Sequence, residues 1–270
     1  MNRLISIATV AALALTGGST VLAQAPQPAP YYVRANCIKV RDGKGPEYAA
    51  YLRDVTAKLA KYRVDNGMVA GFTVSQAVFP AGRAAMCDYI IANQTNAFPP
   101  EAPTPEQGDA DYKKAGVNMT RQERTAKLNE LTYLVKTELW RRTASAGAGV
   151  AKGSYIRVNY FNVKTGMMAD WMAMESSGWK QLAEAAATEV PGTAWSEWVL
   201  AMPGGQSLPY NARTIDVFPT WDALGKGLSV RALWTKAHPT VDYTTHMTKL
   251  NAMAERPRID IYKIVERIAK

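Results

Sequence analysis

The feature that most constrains the fold is a short pattern that the chain contains twice. Residues 32–40 read YVRANCIKV and residues 155–163 read YIRVNYFNV, so both follow Tyr-x-Arg-x-Asn-x-[Ile/Phe]-x-Val. The side chains alternate in character, which is typical of a β-strand. Each copy precedes a turn and a long helical pattern, and later matching positions keep nearly the same offset (Tyr48 with Trp171, Phe72 with Trp195). The repeat therefore indicates an internal duplication.

The order of patterns in each copy predicts a β-α-β-β-α-β module. We predict an α+β fold of two tandem ferredoxin-like modules forming an intrachain α/β barrel, with strand 1 of each module between strands 4 and 3. The modules cover residues 31–143 and 154–270, and the Ala/Gly/Ser-rich segment 144–153 is the predicted linker. Within the first module, a helix is predicted from Arg121 to about Val135, followed by the fourth strand from Lys136 to Thr143.

The N-terminal segment predicts export. Residues 1–23 combine a basic start, an apolar run from Leu4 to about Leu15 and a Val-Leu-Ala ending, as in a cleaved signal peptide. The run is shorter than the roughly 20 apolar residues of a membrane span. Residues 24–30 form a Pro-rich leader. We expect a soluble periplasmic or secreted protein without a membrane span, and the sequence leaves a homo-oligomer open.

The composition and the motifs narrow the function classes. The formal net charge is +9 at pH 7, but the basic residues are scattered among acidic ones, so no nucleic-acid partner is expected. His238 and His246 are the only histidines, and no HExxH or CxxC pattern occurs, so no metal site is expected. Phosphate-binding and Gly-x-Ser-x-Gly motifs are absent from the sequence. No catalytic residue is identified in this way, and whether the chain is an enzyme stays open.

The two cysteines, Cys37 and Cys87, are candidates for a disulfide. An oxidising compartment permits the bond. Cys37 lies late on the predicted first strand and Cys87 early on the third, and antiparallel neighbours bring those ends together. The bond forms if the side chains share a face of the sheet, and it does not if they point to opposite faces.

Alternation also suggests charged pairs. Arg34 and Arg157 lie on the more polar faces of the two first strands, while Glu138 and Asp260 lie on the fourth strands. Because strands 1 and 4 are predicted neighbours, we expect the structural pairs Arg34–Glu138 and Arg157–Asp260 between the sheets. The alternative is a polar pocket floor that holds an anionic ligand. The opposite faces of the first strands are more apolar and are expected to pack under helices.

This architecture resembles the dimeric α/β-barrel superfamily, which includes antibiotic-biosynthesis-type monooxygenases, haem-degrading enzymes, chlorite-dismutase relatives and NIPSNAP-like proteins. The segment Phe218-Pro-Thr-Trp-Asp-Ala-Leu224 resembles the superfamily's exit from its third strand into the next helix. The haem-degrading branch surrounds haem with a strand-1 Asn, a Trp and a helix His, which Asn159, Trp221 or Trp234, and His246 match by residue type. The cofactor-free monooxygenases rely on Trp, Asn and Arg around an aromatic substrate. A shared fold does not by itself carry function.

Six of the seven tryptophans lie in the second predicted module, which favours a ligand pocket there, although large rings also fill cores. We predict a protein that binds a small organic ligand in the second module, and the candidate residues are Arg157, Asn159, Trp221, Trp234 and His246. No cofactor is expected, and the resemblance leaves haem as an alternative. The alternative functions are a haem-binding or cofactor-free oxygenase and a protein-interaction module.

Overall fold

The segments with alternating apolar side chains form eight strands that close into one barrel. The computed structural model describes residues 31–204 and 209–270, so the predicted signal peptide and leader (residues 1–30) lie outside the described residues. Neighbouring strands are antiparallel around the closed order β1-β3-β2-β8-β5-β7-β6-β4. The strands are β1 (Tyr31–Val40), β2 (Gly71–Phe79), β3 (Tyr89–Thr95), β4 (Thr132–Gly147), β5 (Tyr155–Val163), β6 (Ala194–Met202), β7 (Ala212–Phe218) and β8 (Ala254–Ala269).

The predicted fold class, two tandem ferredoxin-like modules forming an α/β barrel, is wrong. The structure is a single closed eight-stranded antiparallel β-barrel with helices packed around it. Strand β4 pairs with β6, and β2 pairs with β8, so neither half keeps a separate sheet. The strands β4 and β8 are each 16 residues long, and each pairs with a strand from the other half of the chain. Unpaired backbone groups on strand edges favour such pairing. The tandem duplication of the sequence stays a prediction.

The helices cover the outside of this barrel. Thr104 and Thr120 precede helices α3 (Pro105–Lys114) and α4 (Arg121–Leu131), and each forms a capping box that satisfies backbone groups at the helix start. No helix in the described residues is both long enough and apolar enough to span a membrane. The helices are α1 (Gly45–Tyr51), which continues through a π-helical turn (Leu52–Thr56) into α2 (Ala57–Asp65), then α3 (Pro105–Lys114), α4 (Arg121–Leu131), α5 (Met168–Glu189), α6 (Trp221–Lys226), α7 (Val230–Ala237) and α8 (Tyr243–Met253).

Strand β4 is longer at both ends than the sequence pattern predicts. Helix α4 ends at Leu131, and residues 132–135, which were predicted to be helical, begin β4. Thr132 pairs with Val40 of β1, so hydrogen bonding to a neighbouring strand outweighs the helical periodicity of this segment. At its other end β4 continues to Gly147. Residues 144–147 of the predicted linker are therefore strand.

The inner and outer faces of β1 and β5 are the reverse of those predicted. The apolar residues Val33 and Ala35 of β1 and Ile156 and Val158 of β5 lie inside the barrel in one cluster. The other face of β1 meets the helices, since Ile38 packs with the cluster around α1 and α2. In a small closed barrel the inward-facing side chains fill the interior, so the face that carries the arginines lies on the outside, where Arg34 is exposed.

For this reason neither predicted arginine–carboxylate pair forms. Arg34 lies opposite Leu139 on β4, whereas Glu138 lies opposite Ala35. Successive side chains of a strand point to opposite faces, so Arg34 and Glu138 lie on opposite sides of the barrel wall. The same offset separates Arg157 and Asp260, because Asp260 lies opposite Val158.

Both carboxylates find other partners inside the barrel. Glu138 accepts hydrogen bonds from the Tyr210 hydroxyl at 2.6 Å and from Trp140 Nε1 at 3.1 Å, and Lys136 Nζ lies 2.7 Å away. Asp260 accepts a hydrogen bond from Arg258 Nε at 2.7 Å and one from the Tyr262 hydroxyl at 3.1 Å. These partners satisfy groups that would be costly to bury alone.

Cys37 and Cys87 form a disulfide bond in this structure. Their Cα atoms are 5.1 Å apart, and the residues are separated by 50 positions in the sequence. Cys37 belongs to the inward face of β1, and Cys87 precedes β3, which pairs with β1. The bond therefore fixes the connection that carries α1, α2 and β2.

We predict that the double substitution Cys37→Ser and Cys87→Ser lowers the free energy of unfolding by about 4 kcal/mol, the chain-entropy value for a loop of this length. Urea unfolding of the wild type and the variant measures the difference. Dithiothreitol should destabilise the wild type to the same extent and leave the variant unchanged. A variant as stable as the oxidised wild type would contradict the prediction.

Candidate functional site

A cleft in the second half of the chain lies between the outer face of the barrel and helices α5 and α8. Its volume is about 300 Å³. Outward-facing residues of β5 and β7 form its floor, and one face of α5 forms a wall, because residues four apart on a helix share a face. The main lining residues are Arg157, Asn159, Trp171, Glu175, Trp179, Trp195, Thr214, Asp216, Met247 and Leu250.

The floor of the cleft is a hydrogen-bonded polar group. Asp216 Oδ2 accepts hydrogen bonds from Arg157 Nε at 3.0 Å and from Asn159 Nδ2 at 2.9 Å. Asn159 Nδ2 also donates to Thr214 Oγ1 at 3.1 Å. The pairing of β5 with β7 produces this arrangement, since Arg157 lies opposite Asp216 and Asn159 opposite Thr214. A guanidinium has five N–H donors, so Arg157 retains donors for an oxyanion in the cleft.

Glu175 is the acidic residue on the α5 wall of the cleft. It is 4% exposed, and burial raises the pKa of its carboxyl well above the usual range. The carboxylates of Glu197 and Asp216 raise this pKa further, and Arg256 opposes them. A raised pKa widens the pH range over which a carboxyl keeps its proton and can donate a hydrogen bond or a proton.

Glu197 is a second buried acid behind this wall. It lies opposite Thr214 on the outer face of β6, against which α5 packs, and it is fully buried. Burial raises the pKa of Glu197 from 4.5 to about 7, against the opposing effect of its hydrogen bond with the Thr143 hydroxyl. The α5–β6 interface therefore contains two carboxyl groups that resist ionisation.

The structure brings together only part of the predicted ligand site. Arg157 and Asn159 share the cleft. Trp221 lies at the start of α6, is 51% exposed and contacts the ring of Tyr155 edge-on at 5.3 Å between centroids. Trp234 is buried on α7, with its ring centroid 4.5 Å from that of His246. Trp221, Trp234 and His246 do not line the cleft.

His246 occupies a packed position between helices. A Cβ atom added to Gly178 of α5 would lie 2.7 Å from His246 Nε2, so the absence of a side chain at position 178 makes room for the imidazole. Burial lowers the pKa of His246, and His238 and Lys249 lower it further. The predicted haem arrangement needs His246 and Asn159 around one group, and the structure separates them. Asn159 lines the cleft and His246 does not, so these residues do not fit haem in that arrangement.

Several residues of the cleft were not identified from the sequence. The spacing of Trp171, Glu175 and Trp179 on α5 was a usable signal, because it places all three on one helix face. Asp216 carried no such signal, since its position opposite Arg157 depends on the register between β5 and β7. The buried state of Glu175 depends on tertiary packing and is not visible in the sequence.

Comparisons with known proteins identify fold neighbours and no sequence family. The sequence matches no protein-family model and no curated protein. A putative monooxygenase from Lactobacillus acidophilus NCFM aligns with a TM-score of 0.51 and 9% identity over 89% of this chain and 96% of its own. A putative monooxygenase from Fusobacterium nucleatum aligns with a TM-score of 0.51 and 11% identity over 90% of this chain and 95% of its own. The predicted resemblance is confirmed to this extent: the chain shares its fold with monooxygenase-like structures.

We predict that Glu197→Gln changes how stability depends on pH. Because the folded pKa of about 7 exceeds the ordinary 4.5, the folded state holds the proton more tightly than the unfolded state. The free energy of unfolding should therefore fall as pH rises from about 4.5 to above 7, by an amount on the order of 3 kcal/mol. Glu197→Gln should remove this part of the fall.

Urea unfolding at several pH values between about 4.5 and 8.5 measures both profiles. Glu184→Gln, an exposed substitution on the same helix as Glu175, serves as the charge control and should keep the wild-type profile. Parallel profiles for the wild type and Glu197→Gln would contradict the prediction.

Proposed function

We propose that the chain is an oxygenase that oxidises a flat aromatic substrate with O₂ in the cleft between β5, β7, α5 and α8, without a cofactor. The observation that supports the proposal is that Arg157, Asn159 and Glu175, whose pKa is raised by burial, line one cavity together with Trp171 and Trp179. The shared fold of the two putative monooxygenases is consistent with this activity. Because their sequence identity to this chain is low, these two structures indicate the fold alone, and the proposed activity rests on the residues of the cleft.

The residues have distinct roles in this proposal. The indole rings of Trp171 and Trp179 provide apolar faces for an aromatic ring system. The remaining donors of Arg157 stabilise the oxygen of a substrate bound as its enolate or phenolate anion, and Asp216 holds the guanidinium in place. The electron-rich anion reduces O₂. A methylene carbon becomes a carbonyl with one oxygen atom, and protonated Glu175 supplies a proton as the second oxygen leaves as water.

A binding protein that uses the same cleft without turnover is the second candidate function. The polar floor and aromatic walls favour an organic ligand with an oxyanion in either case. Consumption of O₂ distinguishes the two functions, because a binding protein saturates with ligand and consumes none.

We predict that the protein consumes O₂ when supplied with the anthrone dithranol, a flat tricyclic compound with an acidic methylene. Arg157→Gln should lower kcat/KM by roughly 100-fold or more, the usual effect of removing a donor to a developing oxyanion. An oxygen electrode and the absorbance of the product measure the rate. The assays contain a metal chelator, so that adventitious metal does not contribute.

Arg34→Gln is the matched control, because Arg34 occupies the equivalent position of the sequence repeat and lies outside the cleft. It should keep the wild-type rate. Saturable binding of dithranol without O₂ uptake would reject the oxygenase and favour the binding protein. Uptake that is equally insensitive to both substitutions would place the chemistry elsewhere.

We also propose that the protein is exported, as the predicted signal peptide indicates. The Cys37–Cys87 disulfide supports this, since such bonds persist in oxidising compartments. Mass spectrometry of protein expressed in a Gram-negative bacterium should give a mature chain that begins at Gln24, after the Ala23 cleavage site. An intact chain in the cytoplasm would contradict the proposal.

A further inference from the structure

A second cavity lies inside the barrel, on the other side of the sheet from the cleft. Its volume is about 340 Å³, which falls within the range of about 300–1,000 Å³ that is usual for small-molecule pockets. Ile156 and Val158 of β5 face this interior cavity, whereas Arg157 and Asn159 of the same strand face the cleft. The two cavities are therefore separated by the barrel wall, and Trp195 of β6 borders both.

The charged residues of the interior cavity all have the same sign. Arg142, Arg213 and Arg267 line it, and no described aspartate or glutamate does. None of the three arginines forms a salt bridge within residues 31–204 and 209–270. The rest of the wall is mostly apolar and includes Val33 and Ala35. A cavity with this lining matches an anion that carries an apolar body.

Arg213 is the residue that points most directly to a ligand. It is 5% exposed, and its buried Nε has no hydrogen-bond partner in the described part of the chain. Its guanidinium carbon lies 4.1 Å from the ring centroid of Trp140 and 5.5 Å from that of Trp198. Cation–π contacts compensate a buried charge only in part, and an arginine stays protonated in proteins. A buried cation without a carboxylate partner is costly, and an anionic ligand would remove that cost.

Burial lowers the pKa of Arg213, and the carboxylate of Glu138 opposes this effect through space by favouring the charged form, but the two side chains form no salt bridge in the described part of the chain. Glu138 already interacts with Tyr210, Trp140 and Lys136. The other two arginines are half-buried: Arg142 lies over the ring of Tyr31 at 4.0 Å, and Arg267 Nη1 donates to Gln94 Oε1 at 2.7 Å. All three guanidinium groups thus retain N–H donors that no carboxylate uses.

One part of the cavity lining is a segment of small residues at the end of β4 and just beyond it. The segment Ser145–Val150 lines the cavity with small side chains only. Gly147 has a φ of +83°, and a Cβ atom there would collide with the backbone of Thr193 and Ala194, so this segment can pass close to β6 only with glycine at that position.

We propose that the barrel interior binds an amphipathic carboxylate, with its head group on Arg213 and its aliphatic chain along the apolar wall. This site is distinct from the proposed oxygenase cleft and does not depend on it. A charge-assisted hydrogen bond from a buried guanidinium gives the carboxylate its affinity, and the wall selects for an apolar chain.

Calorimetric titration with decanoate and with decanol tests the proposal, since the two probes share a chain length and differ in head-group charge. Decanoate should bind one site per chain, and decanol should bind roughly 10- to 100-fold more weakly. Arg213→Gln should weaken decanoate binding by a similar factor and change decanol binding little. Arg83→Gln removes the same charge at an exposed position and should leave both affinities unchanged.

Several outcomes would overturn the proposal. Equal affinities for decanoate and decanol in the wild type would do so without any variant, which keeps the test valid if Arg213→Gln fails to fold. In that case Arg142→Gln, at a half-buried position, should still weaken decanoate binding. If Arg157→Gln abolished decanoate binding while the arginines of the interior cavity did not matter, the anion would occupy the cleft instead.

Discussion

The hydrogen bonding that closes the barrel is the constraint on which the rest of the structure depends. The pairings of β4 with β6 and of β2 with β8 use the strand edges that either half alone would leave open. Open edges are a liability because their unpaired N–H and C=O groups pair with other chains. Closure removes that liability and gives every strand one inner and one outer face. The inner face packs against the other strands, and helices pack on parts of the outer face.

Because of closure, alternation along a strand separates two chemical environments. On β5, the inner Ile156 and Val158 contribute to an apolar interior, while the outer Arg157 and Asn159 form the floor of the cleft with Asp216. The wall between these environments is one strand thick. A shift of the register by one residue would exchange the two sets, since side chains alternate with a period of two. The β5–β7 register therefore determines the chemistry of both cavities.

Much of the secondary structure could be predicted from the sequence, and the faces of the strands could not. The alternation in residues 155–163 and the long helical pattern after Met168 correspond to β5 and α5. The predicted faces of β1 and β5 are wrong because the prediction places the more apolar face under helices and the more polar face between two sheets. Inside this barrel, Glu138 and Asp260 are buried among hydrogen-bond donors, so the inner face combines apolar side chains with buried polar ones. Such partners come from distant strands and leave no mark on a local pattern.

The candidate site could also be predicted only in part from the sequence. Arg157 and Asn159 are predictable because both belong to the repeated strand pattern, and the structure places them together in the cleft. His246 was selected for its residue type alone, which contains no information on its contacts with Gly178 and Trp234. Residue type predicts what a side chain can do, whereas the strand register and helix packing determine which groups it meets.

The paired strands β6 and β7 form a part of the barrel wall that lies between the two cavities. On β7, Arg213 faces the interior and its neighbour Thr214 faces the cleft, while on β6 the inner Trp198 follows the outer Glu197. Arg213 and Glu197 are both buried ionisable groups, and each is unfavourable for stability where it lies. A scaffold optimised only for stability would replace them with apolar residues of similar volume. Arg213 lines the interior cavity, and Glu197 lies on the paired strand behind the α5 wall of the cleft, so their retention fits the proposal that some stability is given up for ligand binding.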